Sequence, residues 1–287
     1  MFPWLRGQKS QRRSHSSRNA LELIRMADEA ANSTILIMHE RVLGVSFFSG
    51  SARDAVAYVR HTGGLIAIPA SPALLKLKYD EEYRLALQRA DLVLADSELL
   101  TLLWRLVSGH RLKKISGISY LKCLLTDSAL REKERLFLIV SSDDARSKAI
   151  SWLREHGFPL DPGDCSVVQP LAHEQEHALL FEIEKLRPQH VIIALAGTGQ
   201  EKLGLYLRDF LLYRPSIHCV GAALGFLTGA EHPIPEWAER FHMGWLSRLI
   251  SQPRMLLPRI GIAFALAGMV FKYRSKLPRL KPRWADI

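Results

Sequence analysis

Short apolar runs alternate with helix-length amphipathic segments along most of this chain, and that alternation limits the folds open to it. "LGVSFFS" (43–49), "GLIAIPA" (64–70), "DLVLA" (91–95), "RLFLIV" (135–140), "CSVVQP" (165–170), "HVIIALA" (190–196) and "IHCVGAA" (217–223) have the length and composition of strands. Helical patterns lie between them, at "SARDAVAYVRH" and at 80–90, 97–107, 117–127, 144–156, 173–186 and 200–212. Such a sequence predicts an α/β fold, a mostly parallel Rossmann-like sheet with helices on both faces. No internal repeat interrupts the pattern. With 287 residues and 48% apolar content, the chain has room for one large domain plus an appendage.

Charge separates the ends from the middle. The net charge is +10, yet residues 20–244 hold 25 Lys/Arg against 28 Asp/Glu. Residues 1–19 hold five Lys/Arg and no acid, and residues 245–287 hold nine Lys/Arg and one Asp. Basicity confined to the ends suits tails that meet an anionic surface, and a membrane fits that as well as a nucleic acid does. The expected organisation is a basic disordered arm at 1–19, an α/β domain at 20–235 and a helical, basic, membrane-docking appendage at 236–287. The N-terminus has no apolar core of signal-peptide length. Cys123, Cys165 and Cys219 are odd in number and widely spaced, which argues for a reducing cytoplasm and buried thiols, with no disulfide or zinc framework.

In a parallel sheet, ligands gather beyond the carboxyl ends of the strands, where helix N-termini also point. Two loops qualify. In "LADSE" a buried run stops at Asp96 and a leucine-rich helix starts at once, so Asp96 reads either as a helix cap or as a base. In "LAGTGQEK", Gly197 and Gly199 allow backbone N–H groups to approach an anion, and the following helix N-terminus adds positive potential. Glycine turns also occur for purely conformational reasons, and this one matches neither the dinucleotide nor the P-loop pattern. Each loop alone leaves both readings open.

Their order along the chain resembles the WecG/TagA/CpsF family of bacterial glycosyltransferases, glycosyltransferase family 26, over about residues 41–260. "VLGVSFFSGSARDAV" is similar to the family's opening strand, turn and helix. "YDEEYRLALQRADLVLADSELL" resembles the stretch that ends in Asp-Gly before a helix, and "ISG" (115–117) its glycine-containing turn. "IIALAGTGQEKLGLYL" resembles the Gly-x-Pro-Lys-Gln-Glu segment, and "PEWAERFHMGWLSRLISQPRMLLPR" the terminal block. The resemblance implies metal-independent, inverting transfer from a UDP-sugar to a polyprenyl-diphosphate-linked acceptor, on the cytoplasmic face of the cell membrane, in cell-surface polysaccharide biosynthesis. It implies Asp96 as the base and Lys114, Thr198, Gly199, Gln200 and Glu201 as substrate-binding residues. It also implies Arg248, Arg254 and Arg259 as contacts to the acceptor diphosphate or the membrane. No cofactor, metal or nucleic acid is expected; a homo-oligomer or a membrane partner is left open.

Several positions depart from the family pattern. Asp-Gly reads Asp96-Ser97, Thr-Pro-Asn reads Ile68-Pro69-Ala70, Pro-Lys reads Thr198-Gly199, and an expected Arg is replaced by Lys114, without the bidentate fork of Arg. A family member that lost catalysis and now binds or scaffolds is therefore the second reading. An unrelated nucleotide-binding enzyme, such as a dehydrogenase, is the third, and it lacks a dinucleotide fingerprint. His173 and His177 bracket a Glu-rich helical face and read as surface residues, not metal ligands. Trp237 and Trp245 read as packing anchors as readily as sugar-stacking rings. The twelve uncharged residues 260–271 are too few to span a bilayer, which takes about 20. Flanked by basic residues, they read as an interfacial helix or as a segment packed into the domain.

Overall fold

The computed structural model describes residues 39–127, 130–131, 134–168, 173–230 and 256–281, without the side chains of 173–174 and 256–259. The strands are β1 (His39–Val42), β2 (Val45–Phe48), β3 (Gly64–Ala67), β4 (Leu92–Val93), β5 (Leu136–Val140), β6 (Cys165–Val167), β7 (His190–Ala194) and β8 (Ser216–Cys219). Among the described residues the α-helices are α1 (Ala52–Thr62), α2 (Ser71–Leu74), α3 (Glu81–Arg89), α4 (Glu98–Ser108), α5 (Gly117–Leu125), α6 (Asp143–Glu155), α7 (His173–Leu186), α8 (Gly199–Phe210), α9 (Ala223–Thr228) and α10 (Leu256–Tyr273). All eight strands join one sheet in the order β1-β2-β4-β3-β8-β7-β5-β6, parallel from β2 onward. The expected α/β class and mostly parallel sheet are therefore present.

Five strand expectations need revision at their ends. The run 43–49 starts as strand only at Val45, because Leu43 and Gly44 (φ 53° and 78°) turn the chain tightly out of β1, a strand the sequence reading missed. The run 217–223 ends as strand at Cys219, and Gly221 (φ 56°) turns the chain toward α9. The runs 64–70, 91–95 and 190–196 likewise leave the sheet before their apolar residues end. In these runs the residues beyond the strand form a loop on the carboxyl edge.

Side chains on β8 show how the two faces are covered. Ile217 and Cys219 enter a core with Leu203 and Leu207 of α8, Leu179 and Ile183 of α7, and Ala86 of α3. Ser216 and His218 point the other way; Ser216 Oγ donates to the Val59 carbonyl of α1 at 2.8 Å, and His218 meets Tyr120 of α5. α8 lies close on the sheet because Gly204 has no side chain. A Cβ there would sit 2.7 Å from Leu65 Cδ1 and 2.8 Å from Cys219 Sγ. A second core covers β2 and β4 with Leu100, Leu103 and Trp104 of α4 and Leu266, Met269 and Val270 of α10. The chain after α10 then holds the β1–β2 turn: Leu43 N–H donates to the Arg274 carbonyl at 2.7 Å and Gly44 N–H to that of Ser275 at 3.1 Å. No helix among the described residues is long and apolar enough to cross a membrane. The expected arm at 1–19 and the boundary near 235 lie outside the described residues.

A buried polar chain runs beneath α5. Glu134 meets His190 Nε2 at 2.9 Å, His190 Nδ1 meets His218 Nε2 at 2.9 Å, and His218 Nδ1 meets the Tyr120 hydroxyl at 2.8 Å. The Glu134 carboxylate can only accept, so it fixes both tautomers: Tyr120 donates to His218, His218 to His190, and His190 to Glu134. Burial, reinforced by His190, pushes the His218 pKa well below its ordinary value. Burial also lowers that of His190, although Glu134 opposes it. Burial alone would raise Glu134, but hydrogen bonds from Arg60 and His190 hold its pKa below the ordinary carboxylate value.

A depressed histidine leaves the unfolded chain with the greater proton affinity. The stability it contributes is full above about pH 6.5 and declines as pH falls toward the folded-state pKa. His218→Leu should therefore destabilise the protein most at pH 7.5. That deficit should shrink by up to ~1.4 kcal/mol per pH unit below about 6.5, measured by urea unfolding of both proteins. A deficit that does not change with pH would contradict a neutral buried His218.

Candidate active site

Because β2 to β8 are parallel, the loops after β3, β4, β5, β7 and β8 all open on one edge. The loops carrying Asp96 and Gly197 share that edge, as the sequence reading required. Between β4 and β7 lie β3 and β8, so these two loops begin about 14 Å apart at ordinary strand spacing.

Asp96 lies half-buried at the end of β4. It is not the cap of α4, which corrects one half of the expectation. The cap is Ser97, whose Oγ accepts from the Leu100 N–H at 3.1 Å and from the Ser71 hydroxyl. Serine and aspartate cap about equally well, so the sequence did not distinguish them. Lys114 is brought beside this loop by a parallel bridge to Ala95, with Ile115 N–H donating to the Ala95 carbonyl at 2.9 Å. Its ammonium pairs with Glu98 at 2.9 Å. Directly afterwards Ser116 caps α5, accepting from the Ser119 N–H at 3.1 Å. Gly117 packs so closely on the β8–α9 turn that a Cβ would lie 3.1 Å from Ala223 Cβ. The Asp96 side of the edge is thus tied to the β8 side.

On that side, Gly197 takes φ 78° and turns the chain into α8. Thr198 occupies the cap position without capping through its side chain, and in the first turn the Glu201 carboxylate takes its own N–H. Thr198 and Gly199 are half-buried at the edge, whereas Gln200 and Glu201 are buried. Gln200 Oε1 accepts the Gly221 N–H at 2.8 Å, and its Nε2 donates to Glu201 Oε1 at 3.0 Å. Glu201 is fully buried. Burial pushes its pKa up to about 7, against the opposing hydrogen bonds from its own N–H and from Gln200.

Other residues here were not singled out from the sequence. Asp80 caps α3 through Tyr83 N–H and receives Lys202 of α8 at 2.8 Å, locking two helix N-termini together. A hollow of about 110 Å³ opens between the ends of β5, β7 and β8, lined by Val140, Ser141, Ser142, Asp144, Gly221 and Thr228 among others. Thr228 Oγ1 is buried there with no hydrogen-bond partner among the described residues. The available signals were "SSDD" as a cap motif after an apolar strand and the Gly221 turn. His177 meets the Tyr206 hydroxyl at 3.1 Å, and among the described residues no three His, Cys, Asp or Glu are placed to hold a metal ion. Arg248, Arg254, Trp237 and Trp245 lie outside the described residues; Arg259 is on α10, its side chain not described.

This edge joins a half-buried carboxylate, a lysine, a helix N-terminus that Thr198 does not cap and a small polar hollow. Together they suit a transfer in which one substrate has a hydroxyl to be deprotonated and the other an anionic leaving group. No match is found among curated proteins. The family model described as glycosyl transferase WecG/TagA/CpsF matches residues 40–280, spanning the sheet, Asp96, Lys114 and the α8 N-terminus, and the chain belongs to that glycosyltransferase family.

Proposed function

We propose that the protein is an inverting, metal-independent hexosyltransferase. It moves a hexose or N-acetylhexosamine from a UDP-sugar to a polyprenyl-diphosphate-linked acceptor in cell-surface polysaccharide biosynthesis. The observation that carries this reading is the placing of half-buried Asp96, just before the Ser97 cap of α4, on the same sheet edge as the α8 N-terminus. Asp96 takes the proton of the acceptor hydroxyl while that oxygen bonds to the anomeric carbon of the donor. The bond from that carbon to the diphosphate oxygen breaks, UDP leaves, and configuration inverts. The α8 N-terminus at Thr198 and Gly199, with Lys114, supplies positive potential for the departing diphosphate. The hollow between Ser142 and Thr228 receives one small moiety of the donor, being too small for a whole nucleotide sugar.

Asp96→Asn should leave folding and UDP-sugar binding intact, since Ser97 holds the helix cap, and lower transfer by about 10² to 10⁴. Radiolabel transfer to a short-chain polyprenyl-diphosphate acceptor, with calorimetry for binding, checks both. Full activity in the Asn variant would exclude Asp96 as the base. A binding-only role has its own supporting observation, since Ile68 and Ala70 make the end of β3 apolar beside Asp96. UDP-sugar binding by the unsubstituted protein without transfer would select that role.

The same reading puts the protein at the periphery of the cytoplasmic membrane face. One side of α10 is buried against α4, while Phe264 and Phe271 stay 74% and 55% exposed. On α4, Leu102 and Leu106 are 54% and 68% exposed, and Lys272, Arg274, Lys276, Arg279 and Lys281 surround the end of α10 with exposed positive charge. Apolar residues among cations suit an anionic lipid surface. In vesicle flotation, full-length protein should bind vesicles rich in anionic lipid at low salt and leave them at high salt. The substitutions Leu106→Ser and Phe264→Ser together should abolish binding at unchanged melting temperature. Unchanged flotation would contradict docking through this face.

A further inference from the structure

Among the described residues, Glu201 is the fully buried carboxylate at this edge whose chemistry the transfer reaction does not use. Its Oε1 accepts from Gln200 Nε2, and its Oε2 is buried with no hydrogen-bond partner among the described residues. The described groups around it offer no compensating cation. Tyr83 of α3 is buried nearby with its own hydroxyl unpartnered among the described residues, and Cys219 of β8 packs from below, its Sγ donating to the Gln200 carbonyl at 3.2 Å. Asp80 at the start of α3 adds a further negative charge toward Tyr83. Lys202, next on α8, turns away to Asp80 and Glu82, at 2.8 and 3.1 Å. A carboxylate in such a place is costly to ionise, and a proton on Oε2 removes the cost.

The position matters for binding as well as for stability. Glu201 lies in the first turn of α8, whose N–H groups supply the positive potential proposed to hold the donor diphosphate. A negative charge at Glu201 would cancel part of that potential and repel the diphosphate. Through Gln200, the same carboxyl group orients the amide that takes the Gly221 N–H, so it also fixes the β8–α9 turn that lines the hollow.

We propose that Glu201 is a proton-holding positioning residue, neutral whenever the nucleotide sugar is bound, and that donor binding draws a proton from solvent buffer onto its Oε2. The proposal rests on the assignment of a nucleotide diphosphate to the α8 N-terminus. No covalent bond is made or broken beyond the transfer of that proton from a buffer acid to the carboxylate. Because burial already lifts Glu201 close to neutrality, the linkage operates around pH 7 and above. Below this range the acid is neutral before binding and no uptake occurs.

Two measurements test it. Infrared difference spectra of the ligand-free protein between pH 6 and pH 8.5 should contain a protonated-carboxyl stretch that titrates near pH 7 and is missing in Glu201→Gln. Absence of that band overturns the proposal without reference to any ligand. Calorimetry with a panel of UDP-sugars, whose diphosphate does not titrate in this range, is run at pH 8 in two buffers of different ionisation enthalpy. The unsubstituted protein should take up most of one proton, and its affinity should fall by up to about tenfold per pH unit above the Glu201 pKa. Glu201→Gln should bind with neither proton uptake nor pH dependence. Binding by the unsubstituted protein without uptake overturns the linkage alone. Failure of every UDP-sugar to bind at any pH overturns the donor assignment and the linkage with it.

Discussion

The pairing of β3 with β8 holds the two halves of the molecule together. β1 to β4 come from the first hundred residues and β5 to β8 from the remainder, and within the sheet they meet only where Gly64–Ala67 aligns with Ser216–Cys219. A one-residue slip of that register would turn His218 into the apolar core under α8 and Cys219 toward Tyr120, since side chains alternate along a strand. It is enforced from both sides: by the close approach of Gly204 to Leu65 and Cys219, and by Ser216 donating to Val59 on the opposite face. Once β3 and β8 are aligned, the Asp96 loop and the α8 N-terminus must open on the same edge.

Buried polar groups form two sets with opposite responses to acid. Under α5, the chain from Tyr120 to Glu134 keeps two histidines neutral, which favours the folded state at higher pH. Under the α8 N-terminus, Glu201 prefers its proton, which favours the folded state at lower pH. In the range between the ordinary pKa of a carboxylic acid and that of histidine, the two contributions oppose each other. A pH scan of total stability would hide both. Differences between variants separate them.

Much of this was legible in the sequence because strand and helix periodicities report local burial. The junction at Asp96 was visible since an apolar run ends there and a leucine-rich helix comes next. That Ser97 rather than Asp96 caps α4 was not, because either residue fits the cap. The glycine turn at 197 was placed correctly, and the resemblance implied Gln200 and Glu201 as substrate-binding residues, but no local pattern marked them as buried. Glu201 is approached by Tyr83 of α3, more than a hundred residues earlier, and Gln200 by Cys219 and Gly221 at the end of β8. His190 and His218 stand in apolar strands, yet their contact needs the β7–β8 register, which no local pattern encodes. The hollow beside Ser142 likewise needs β5, β7 and β8 to be neighbours, and only the assembled sheet makes them so.

The most direct measurement is a crystal structure with a bound UDP-sugar. The diphosphate should accept hydrogen bonds from backbone N–H groups in the first turn of α8, at Gly199 or Gln200, with the anomeric carbon turned toward Asp96 and within reach of an acceptor hydroxyl bonded to it. A nucleotide sugar bound at another edge of the sheet, or with its anomeric carbon directed away from Asp96, would contradict the proposed reaction.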